Sequence, residues 1–469
     1  MRIPFINQLV LIVGVLGLFI LTFLVFQEKL IYDSTLGKIS TNYERSGNGH
    51  TLKIQDVRKP YVHLTREAIY HWDGLLFKEI RDEGYKQGSL YHKEKPAFYP
   101  LFPFLWRISG IDSILIIFMN FILFGIGLVL LQRNLMKSDT HTNLLHLAIA
   151  LLLPSAITYY LPYAESVFLL TLAVAIYGIF RKKYWIYAVG AFLFTMTRPS
   201  SLMFIAALIA ADTILLFRHR DLKHYLKDLM PKLGPCIVGF LAVTGIQYIY
   251  TGSFIAYFES TELWPTESGF LNPIRDWSRE GFGMSVFSIF FLAIPAIVYL
   301  FVLSLKSLRK DCREEPIPFF NSGENHKREY LFLISLLFIA INLVYFALTS
   351  GNVINGFYRY TLSVPFLYII LFLLPAKLSK LSLFKRIAFF ATCLCGLAVF
   401  LSLVAYGVPH WSMKSSGLFL FLIITCFLIL EEYFNVRQKW IILILISLPC
   451  IVWQTYLFNM YLTDAWVFT

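Results

Sequence analysis

Long apolar stretches, separated by shorter polar segments, run along almost the whole chain. Thirteen of them approach or reach the roughly 20 residues that cross a hydrocarbon layer about 30 Å thick. They lie at 7–26, 112–131, 143–160, 163–180, 184–198, 200–217, 233–250, 284–305, 329–349, 357–375, 387–407, 417–431 and 440–459. We therefore predict an all-α polytopic membrane protein, a single domain over 1–469 built from about 11–13 transmembrane helices.

Two polar segments are too long to be simple turns between spans, one at 27–110 and one at 251–283. Long connections often carry function, because a rigid scaffold can position them.

An amphipathic pattern marks the second half of the first segment. Ile69, Trp72, Leu76 and Ile80 recur every three or four residues, which predicts a helix with one apolar stripe. Such a helix is expected to lie in the membrane interface, with Asp73 beside the stripe at the membrane surface. The segment 98–103 that follows is expected to lead the chain into the second span.

Composition supports membrane insertion and narrows the choice of partners. The chain is 57% hydrophobic and only 15% charged, whereas soluble domains carry about 25% charged residues. The formal net charge of +12 follows from basic residues retained on the cytoplasmic side. Because no basic stripe with interleaved aromatic residues marks a soluble domain, we expect no nucleic-acid partner.

The distribution of lysine and arginine predicts the orientation. If the N-terminus is cytoplasmic, the cytoplasmic connections contain basic clusters such as 181–183 and 218–232. The outer segments beyond residue 110 then hold only Arg198, Arg275, Arg279, Arg359 and Lys414. This asymmetry places both long segments on the outer side of the membrane.

Four ionisable residues at predicted outer ends of spans are candidates for chemistry: Asp73, Glu165, Arg198 and Arg359. A carboxylate can act as a general base, and a guanidinium can bind phosphate in a bidentate manner. Each also has a structural alternative. Asp73 and Glu165 could cap helices, since acids complement the helix dipole, and the arginines could extend to lipid head groups.

The second long segment carries aromatic residues with acidic neighbours, including Tyr257, Trp264 and Trp277 with Glu259 and Asp276. Such a mixture suits sugar binding by stacking and hydrogen bonding. An aromatic belt at the membrane interface is an equally good interpretation.

Several short motifs resemble the PIG-V family, whose best-known member is the second mannosyltransferase of GPI-anchor assembly. They are Trp72-Asp73, Gly84-Tyr85, Ala97-Phe98-Tyr99-Pro100-Leu101-Phe102-Pro103, Leu161-Pro162-Tyr163-Ala164-Glu165-Ser166, Thr197-Arg198-Pro199 and Arg359-Tyr360 with Pro365. The resemblance implies a GT-C-type helical bundle that uses a polyprenyl-phosphate sugar as donor. It implies that Asp73 is the catalytic base.

The resulting hypothesis is an inverting transfer of a hexose, which the resemblance implies to be mannose, from a polyprenyl-phosphate donor to a lipid- or glycan-linked acceptor at the outer face. The residues expected to bind substrate are His71, Trp72, Tyr85, Lys95, Glu165, Arg198, Arg359 and Tyr360. Since two arginines can neutralise the departing phosphate, we expect no metal and no cofactor. Thr197-Arg198-Pro199 favours a bacterial inner membrane. The alternatives are a transporter or flippase of lipid-linked saccharides, which would need charged or broken helices near the membrane midplane, and an assembly subunit with a degenerate site.

Overall fold

A computed structural model describes residues 5–29, 31, 42–45, 52–55, 64–86, 93–137, 139–219, 222–261, 285–309, 319–349, 357–404 and 413–463. Across these residues the regular structure is helical, apart from one antiparallel hairpin of β1 (Asn42–Arg45) and β2 (Leu52–Gln55). The prediction of an all-α polytopic membrane protein is confirmed. The short hairpin, within the first long polar segment, was not anticipated.

The α-helices follow in chain order. They are α1 (Phe5–Phe26), α2 (Asp73–Glu83), α3 (Leu101–Ser109), α4 (Ser113–Leu135), α5 (Thr140–Leu152), α6 (Glu165–Phe180), α7 (Tyr184–Thr195), α8 (Ser201–His219), α9 (Leu222–Thr251), α10 (Ala256–Thr261), α11 (Ile294–Arg309), α12 (Glu324–Thr349), α13 (Arg359–Leu362), α14 (Pro365–Leu378), α15 (Leu383–Val399), α16 (Met413–Leu430) and α17 (Val436–Leu462). Helix α11 continues from Ser285–Phe287 and the π-helical turn Ser288–Ala293, and α15 runs on into a second π-helical turn, Phe400–Val404.

Each of the predicted spans is helical in the described part of the chain, although 143–160 and 357–375 are each divided between two helices. Eight of these helices are long and apolar enough to cross a membrane, and the chain is therefore an integral, multi-pass membrane protein. The others, α5, α6, α7, α8 and α14, are apolar but shorter.

Proline explains the largest departure from the predicted spans. The stretch 143–160 is not one helix: α5 ends at Leu152, and a 3₁₀ helix, Pro154–Tyr159, follows it. Proline lacks the backbone N–H that would continue an α-helical hydrogen-bond ladder. The break lets the chain turn and begin α6 at Glu165, in the buried interior.

Helix α6 lies in the interior of the bundle, packed against α4 and α7. Glycines allow its close contact with α7: a Cβ on Gly190 would lie 2.5 Å from the backbone nitrogen of Ala175, and one on Gly178 would lie 2.4 Å from that of Tyr187. Small residues permit such backbone contact between membrane helices. The packing fixes the position of Glu165 at the first turn of α6.

The amphipathic helix of the first long segment is present, but it begins later than its stripe suggested. Helix α2 starts at Asp73, while Ile69 belongs to a separate 3₁₀ turn. Leu76 and Ile80 are buried as expected, whereas Trp72 lies outside the helix with 39% of its surface exposed. The segment after it does not lead directly into a span, because α3 intervenes and packs against α2.

Two opposite ends of the bundle can be distinguished along α6. Glu165 is its first residue, and near its other end the ammonium of Lys327 donates to the carbonyl of Ile179 at 2.7 Å. At 1.5 Å per residue these points are about 20 Å apart. The four candidate ionisable residues lie at the Glu165 end, and the basic segment 181–183 lies at the other.

Candidate active site

The start of α2 is held in an unusual backbone conformation. Trp72, the residue before the helix, has a φ of 51°, a region that side chains other than glycine rarely adopt. Tyr461 of α17 fixes the neighbouring turn, since its hydroxyl donates to the carbonyl of Ile69 at 2.6 Å. Backbone strain of this kind persists only where surrounding contacts enforce it, and it is concentrated at functional sites.

Gly74 allows α2 to approach the rest of the bundle. A Cβ at this position would lie 2.6 Å from the hydroxyl of Tyr461 and 2.9 Å from Cγ of Pro162. Any larger residue would push the first turn of α2 away from the turn that precedes α6. The sequence Trp72-Asp73-Gly74 therefore presents Asp73 toward Glu165.

Glu165 is positioned by the turn before it. The side-chain amide of Asn120 on α4 donates to the carbonyls of Leu161 and Tyr163, and the hydroxyl of Ser166 donates to the carbonyl of Tyr159. These hydrogen bonds satisfy backbone groups that the broken helix leaves unpaired. They also hold the carboxylate of Glu165 in the protein interior.

A chain of ion pairs links the four predicted ionisable residues. Oε1 of Glu165 accepts from Nε of Arg359 at 2.9 Å and from Nη2 at 2.8 Å, and it also contacts Nη1 of Arg198. Nη1 of Arg359 lies 2.5 Å from Oδ2 of Asp73. Asp73 and Glu165, which are far apart in the sequence, thus share the guanidinium of Arg359.

The network is largely removed from water. The side chain of Asp73 is 14% exposed, those of both arginines 9%, and that of Glu165 1%. Buried charges are stable only when they are paired and hydrogen-bonded, and two acids with two arginines are formally neutral together. The second oxygen of Glu165, Oε2, is buried and has no hydrogen-bond partner among the described residues.

Aromatic rings surround both guanidiniums. Arg359 lies 4.7 Å from the ring centre of Tyr163, and Arg198 lies 5.9 Å from those of Phe168 and Tyr360. Cation–π contacts of this kind orient a guanidinium without occupying its N–H groups. Among the predicted substrate-binding residues, Tyr360 is therefore adjacent to the network.

Three further tyrosines, Tyr257, Tyr99 and Tyr345, form a group with Tyr360. Of these, Tyr257 is one of the aromatic candidates of the second long segment, whereas Tyr99 and Tyr345 are not predicted as substrate-binding residues. Tyr257 of α10 packs edge-on against Tyr99, with ring centres 5.8 Å apart, and is close enough to Tyr345 and Tyr360 to interact electrostatically with them. Tyr99 belongs to the Phe98–Pro103 motif. That motif is the sequence feature from which Tyr99 could have been identified as a site residue. Nothing in the sequence distinguishes Tyr345 from an ordinary residue of a membrane helix.

Two predicted substrate-binding residues lie elsewhere. The ammonium of Lys95 is buried between Glu79 and Glu83, at 3.7 and 3.5 Å, and the hydroxyl of Tyr85 donates to the carbonyl of Phe98 at 2.6 Å. Along α2, these acids are about 9 and 15 Å from Asp73. Lys95 and Tyr85 thus brace the chain between α2 and α3 and are not brought to the ion-pair network.

His71 and Trp72 remain beside the base candidate. The ring of His71 packs edge-on against Tyr461, with ring centres 5.8 Å apart. Trp72 is half exposed and immediately precedes Asp73. Of the aromatic and acidic candidates in the second long segment, Tyr257 and Glu259 belong to α10, whereas Trp264, Asp276 and Trp277 lie outside the described residues.

A second buried charge cluster, at the other end of the bundle, was not predicted. The ammonium of Lys232 on α9 contacts both oxygens of Asp212 at 2.8 Å, Oδ2 of Asp228 at 2.7 Å and the hydroxyl of Tyr330 at 3.2 Å. It joins α8, α9 and α12. Lys232 had been counted only as part of a basic cytoplasmic segment.

In comparisons with known proteins, this chain matches no protein-family model, no curated protein sequence and no solved structure.

Proposed function

We propose that this protein is a glycosyltransferase that moves a hexose, mannose in the first instance, from a polyprenyl phosphate to a lipid- or glycan-linked acceptor. One observation carries the proposal: Asp73, Glu165, Arg198 and Arg359 form a single buried ion-pair network at one end of a membrane bundle. It offers a carboxylate for proton transfer and two guanidiniums for an anionic leaving group. The resemblance to the PIG-V family of GT-C enzymes is part of the same proposal.

In the proposed reaction, a carboxylate oxygen of Asp73 takes the proton of an acceptor hydroxyl. The acceptor oxygen forms a bond to the anomeric carbon as the bond from that carbon to the phosphate oxygen breaks. The electron pair of the broken bond leaves with the polyprenyl phosphate. Attack opposite the leaving group inverts the anomeric configuration, through an oxocarbenium-like transition state.

The arginines supply the electrostatic part of catalysis. Negative charge grows on the phosphate as it departs, and guanidiniums already fixed by Glu165 do not have to reorganise to meet it. Removing one such preorganised donor typically costs about 3–4 kcal/mol of transition-state stabilisation. Because this neutralisation needs no cation, we expect transfer to continue in the presence of a chelator.

A lipid-linked donor suits the position of the network. Its phosphate would lie where the bundle meets the membrane surface, while its prenyl chain stays in hydrocarbon. The basic segments at the opposite end favour an outward-facing site and a cytoplasmic N-terminus. We place the protein in a bacterial inner membrane as part of this proposal.

A flippase or transporter of lipid-linked saccharides is the second candidate, and the Lys232 cluster favours it. This cluster is a second group of buried charges, at the end of the bundle opposite the Asp73 network. Buried intramembrane charges often mark transport pathways. Buried ion pairs also hold helices together. This structural role is enough to explain the Lys232 cluster, in which Lys232, Asp212 and Asp228 are all paired.

Deletion of the gene, followed by mass analysis of cell-envelope lipids and glycans, separates the two candidates. Loss of a transferase leaves an acceptor lighter by one hexose, and the wild-type gene restores the mass whereas Asp73→Asn does not. Loss of a flippase leaves the complete saccharide on its lipid, on the cytoplasmic side. The second result would refute the proposed transferase.

A further inference from the structure

Arg359 contacts both acids of the network, but in two different ways. Its Nε and Nη2 hydrogen-bond to Oε1 of Glu165 at 2.9 and 2.8 Å, and its ring-facing surface lies over Tyr163. Nη1 makes the ion pair with Asp73. If the contact with Asp73 were broken, the guanidinium would keep the rest of these contacts.

Asp73 depends on its contact with Arg359 more than Arg359 depends on its contact with Asp73. Arg359 is the cation with which it forms an ion pair among the described residues. The contact engages Oδ2, and proton transfer needs a carboxylate oxygen within hydrogen-bonding reach of the acceptor hydroxyl. In the observed arrangement the proposed base is therefore held by the arginine that is expected to receive the phosphate.

We infer that the donor phosphate releases the base: the phosphate binds Nη1 of Arg359 in place of Asp73, while Glu165 keeps the guanidinium in position. This inference rests on the proposed function and adds a role for Glu165, which becomes a positioning residue that anchors both arginines. Asp73 is then free to accept the acceptor proton only when a donor is bound.

The charges of the site are consistent with this exchange. Two arginines balance Asp73 and Glu165 in the observed network. A donor phosphodiester adds one negative charge, so three anionic groups then compete for two guanidiniums, and Asp73 is the acid held through a single ion pair. During transfer, the proton gained by Asp73 and the charge gained by the departing phosphate offset each other.

Competition between Asp73 and phosphate can be measured without an acceptor. The experiment compares the dissociation constant of farnesyl phosphate, a short prenyl monophosphate, for purified wild-type protein and for Asp73→Asn. Asparagine has the same shape but leaves Arg359 without its competing anion. We expect Asp73→Asn to bind the probe at least about tenfold more tightly, since close charge pairs are coupled by more than 1.4 kcal/mol.

Two controls exclude a general charge effect or a damaged fold. Glu83→Gln removes one negative charge from the same helix, beside Lys95 and away from Arg359, and should leave binding unchanged. Arg359→Gln should bind the probe weakly, and adding Asp73→Asn to it should give no further gain. Equal elution volumes and thermal midpoints establish that the variants are folded.

The outcomes separate this inference from the proposed function. If wild type and Asp73→Asn bind the probe equally, or if asparagine weakens binding, phosphate does not compete with Asp73 and the inference is overturned while the transferase proposal stands. If no form of the protein binds prenyl phosphate, the proposed function fails with it.

Discussion

Arg359 is the residue on which the whole site depends, because it is the link between the acid proposed as base and the acid that positions the arginines. Two of its donor nitrogens contact Glu165 and the third contacts Asp73. In our proposal the contact with Asp73 is the one that phosphate replaces. The sequence indicated that acids and arginines at the outer ends of apolar spans are candidates for function. It could not indicate which acid pairs with which arginine, because such pairing depends on helix packing.

Arg198 provides the test of phosphate binding at this scale. Arg198→Lys keeps the positive charge but loses the planar fork that contacts Glu165 and that we propose to bind phosphate. We expect sugar transfer to fall about 100-fold, as for loss of one preorganised donor, while protein yield is unchanged. The measurement is the initial rate of hexose transfer by membranes that contain equal amounts of each variant.

Arg107→Lys is the matched control, since Arg107 is exposed near the end of α3. Its transfer rate should equal that of the wild type. An Arg198→Lys variant that retains full activity would show that any cation is sufficient at this position, and would remove the argument for a guanidinium clamp.

At the scale of single elements, the first turn of α2 decides where the base lies. The apolar stripe predicted the helix correctly but placed its start too early, because periodicity does not detect the left-handed backbone at Trp72. The glycine of Trp72-Asp73-Gly74 is explained only by the three-dimensional structure. It is the position at which α2 approaches Tyr461 and Pro162.

Gly74→Ala tests this close approach. The added methyl group would overlap the ring of Pro162, which cannot rotate away, and α2 would shift with Asp73. Because misplacement by about 1 Å can cost about 100-fold in rate, we expect transfer to fall strongly while the protein remains folded. Transfer rate and thermal midpoint are the two measurements.

Gly17→Ala on α1 is the control, because a Cβ there meets no atom within 4 Å. If Gly74→Ala transfers sugar as fast as Gly17→Ala, the geometry of the α2 start does not limit the reaction.

A second element-scale prediction concerns the cluster of Lys232. This ammonium pairs with both Asp212 and Asp228, so Lys232→Met leaves the buried Asp212 and the partly buried Asp228 without it. Loss of one partner from a buried ion pair costs about 3–5 kcal/mol. We expect a markedly lower thermal midpoint in detergent, whereas Lys306→Met, at an exposed position of α11, should leave it unchanged. Equal midpoints for the two variants would show that the cluster does not join the helices.

At the scale of the whole molecule, the number of helices and the gathering of charges could be inferred from sequence more readily than the internal packing. Apolar length predicted a helix at every span, since the bilayer sets that length. The breaks at Pro154 and the extra helix α3 followed local rules that hydropathy alone does not resolve. The partners of Lys95, Glu79 and Glu83, could not be predicted from sequence, because they face it only after α2 and the chain before α3 have folded together.

Orientation is the property of the whole molecule that the distribution of basic residues predicts. In a background without the native cysteines, Ser109→Cys, exposed at the end of α3 on the predicted outer side, should react with a membrane-impermeant thiol reagent added to intact cells. Lys183→Cys, exposed at the opposite end of α6, should react only after the membrane is opened. The reverse pattern would place the site in the cytoplasm and exclude an outward-facing transferase.

The most direct test of the central claim is transfer of labelled mannose from a purified polyprenyl-phosphate donor by wild-type protein and by Asp73→Asn in matched membranes. The account predicts label in the lipid or glycan fraction with the wild type. It predicts a loss of at least about 100-fold with asparagine, which cannot take the acceptor proton, although the variant still binds prenyl phosphate. Transfer at an equal rate by Asp73→Asn would contradict the account, because the site would then work without its base.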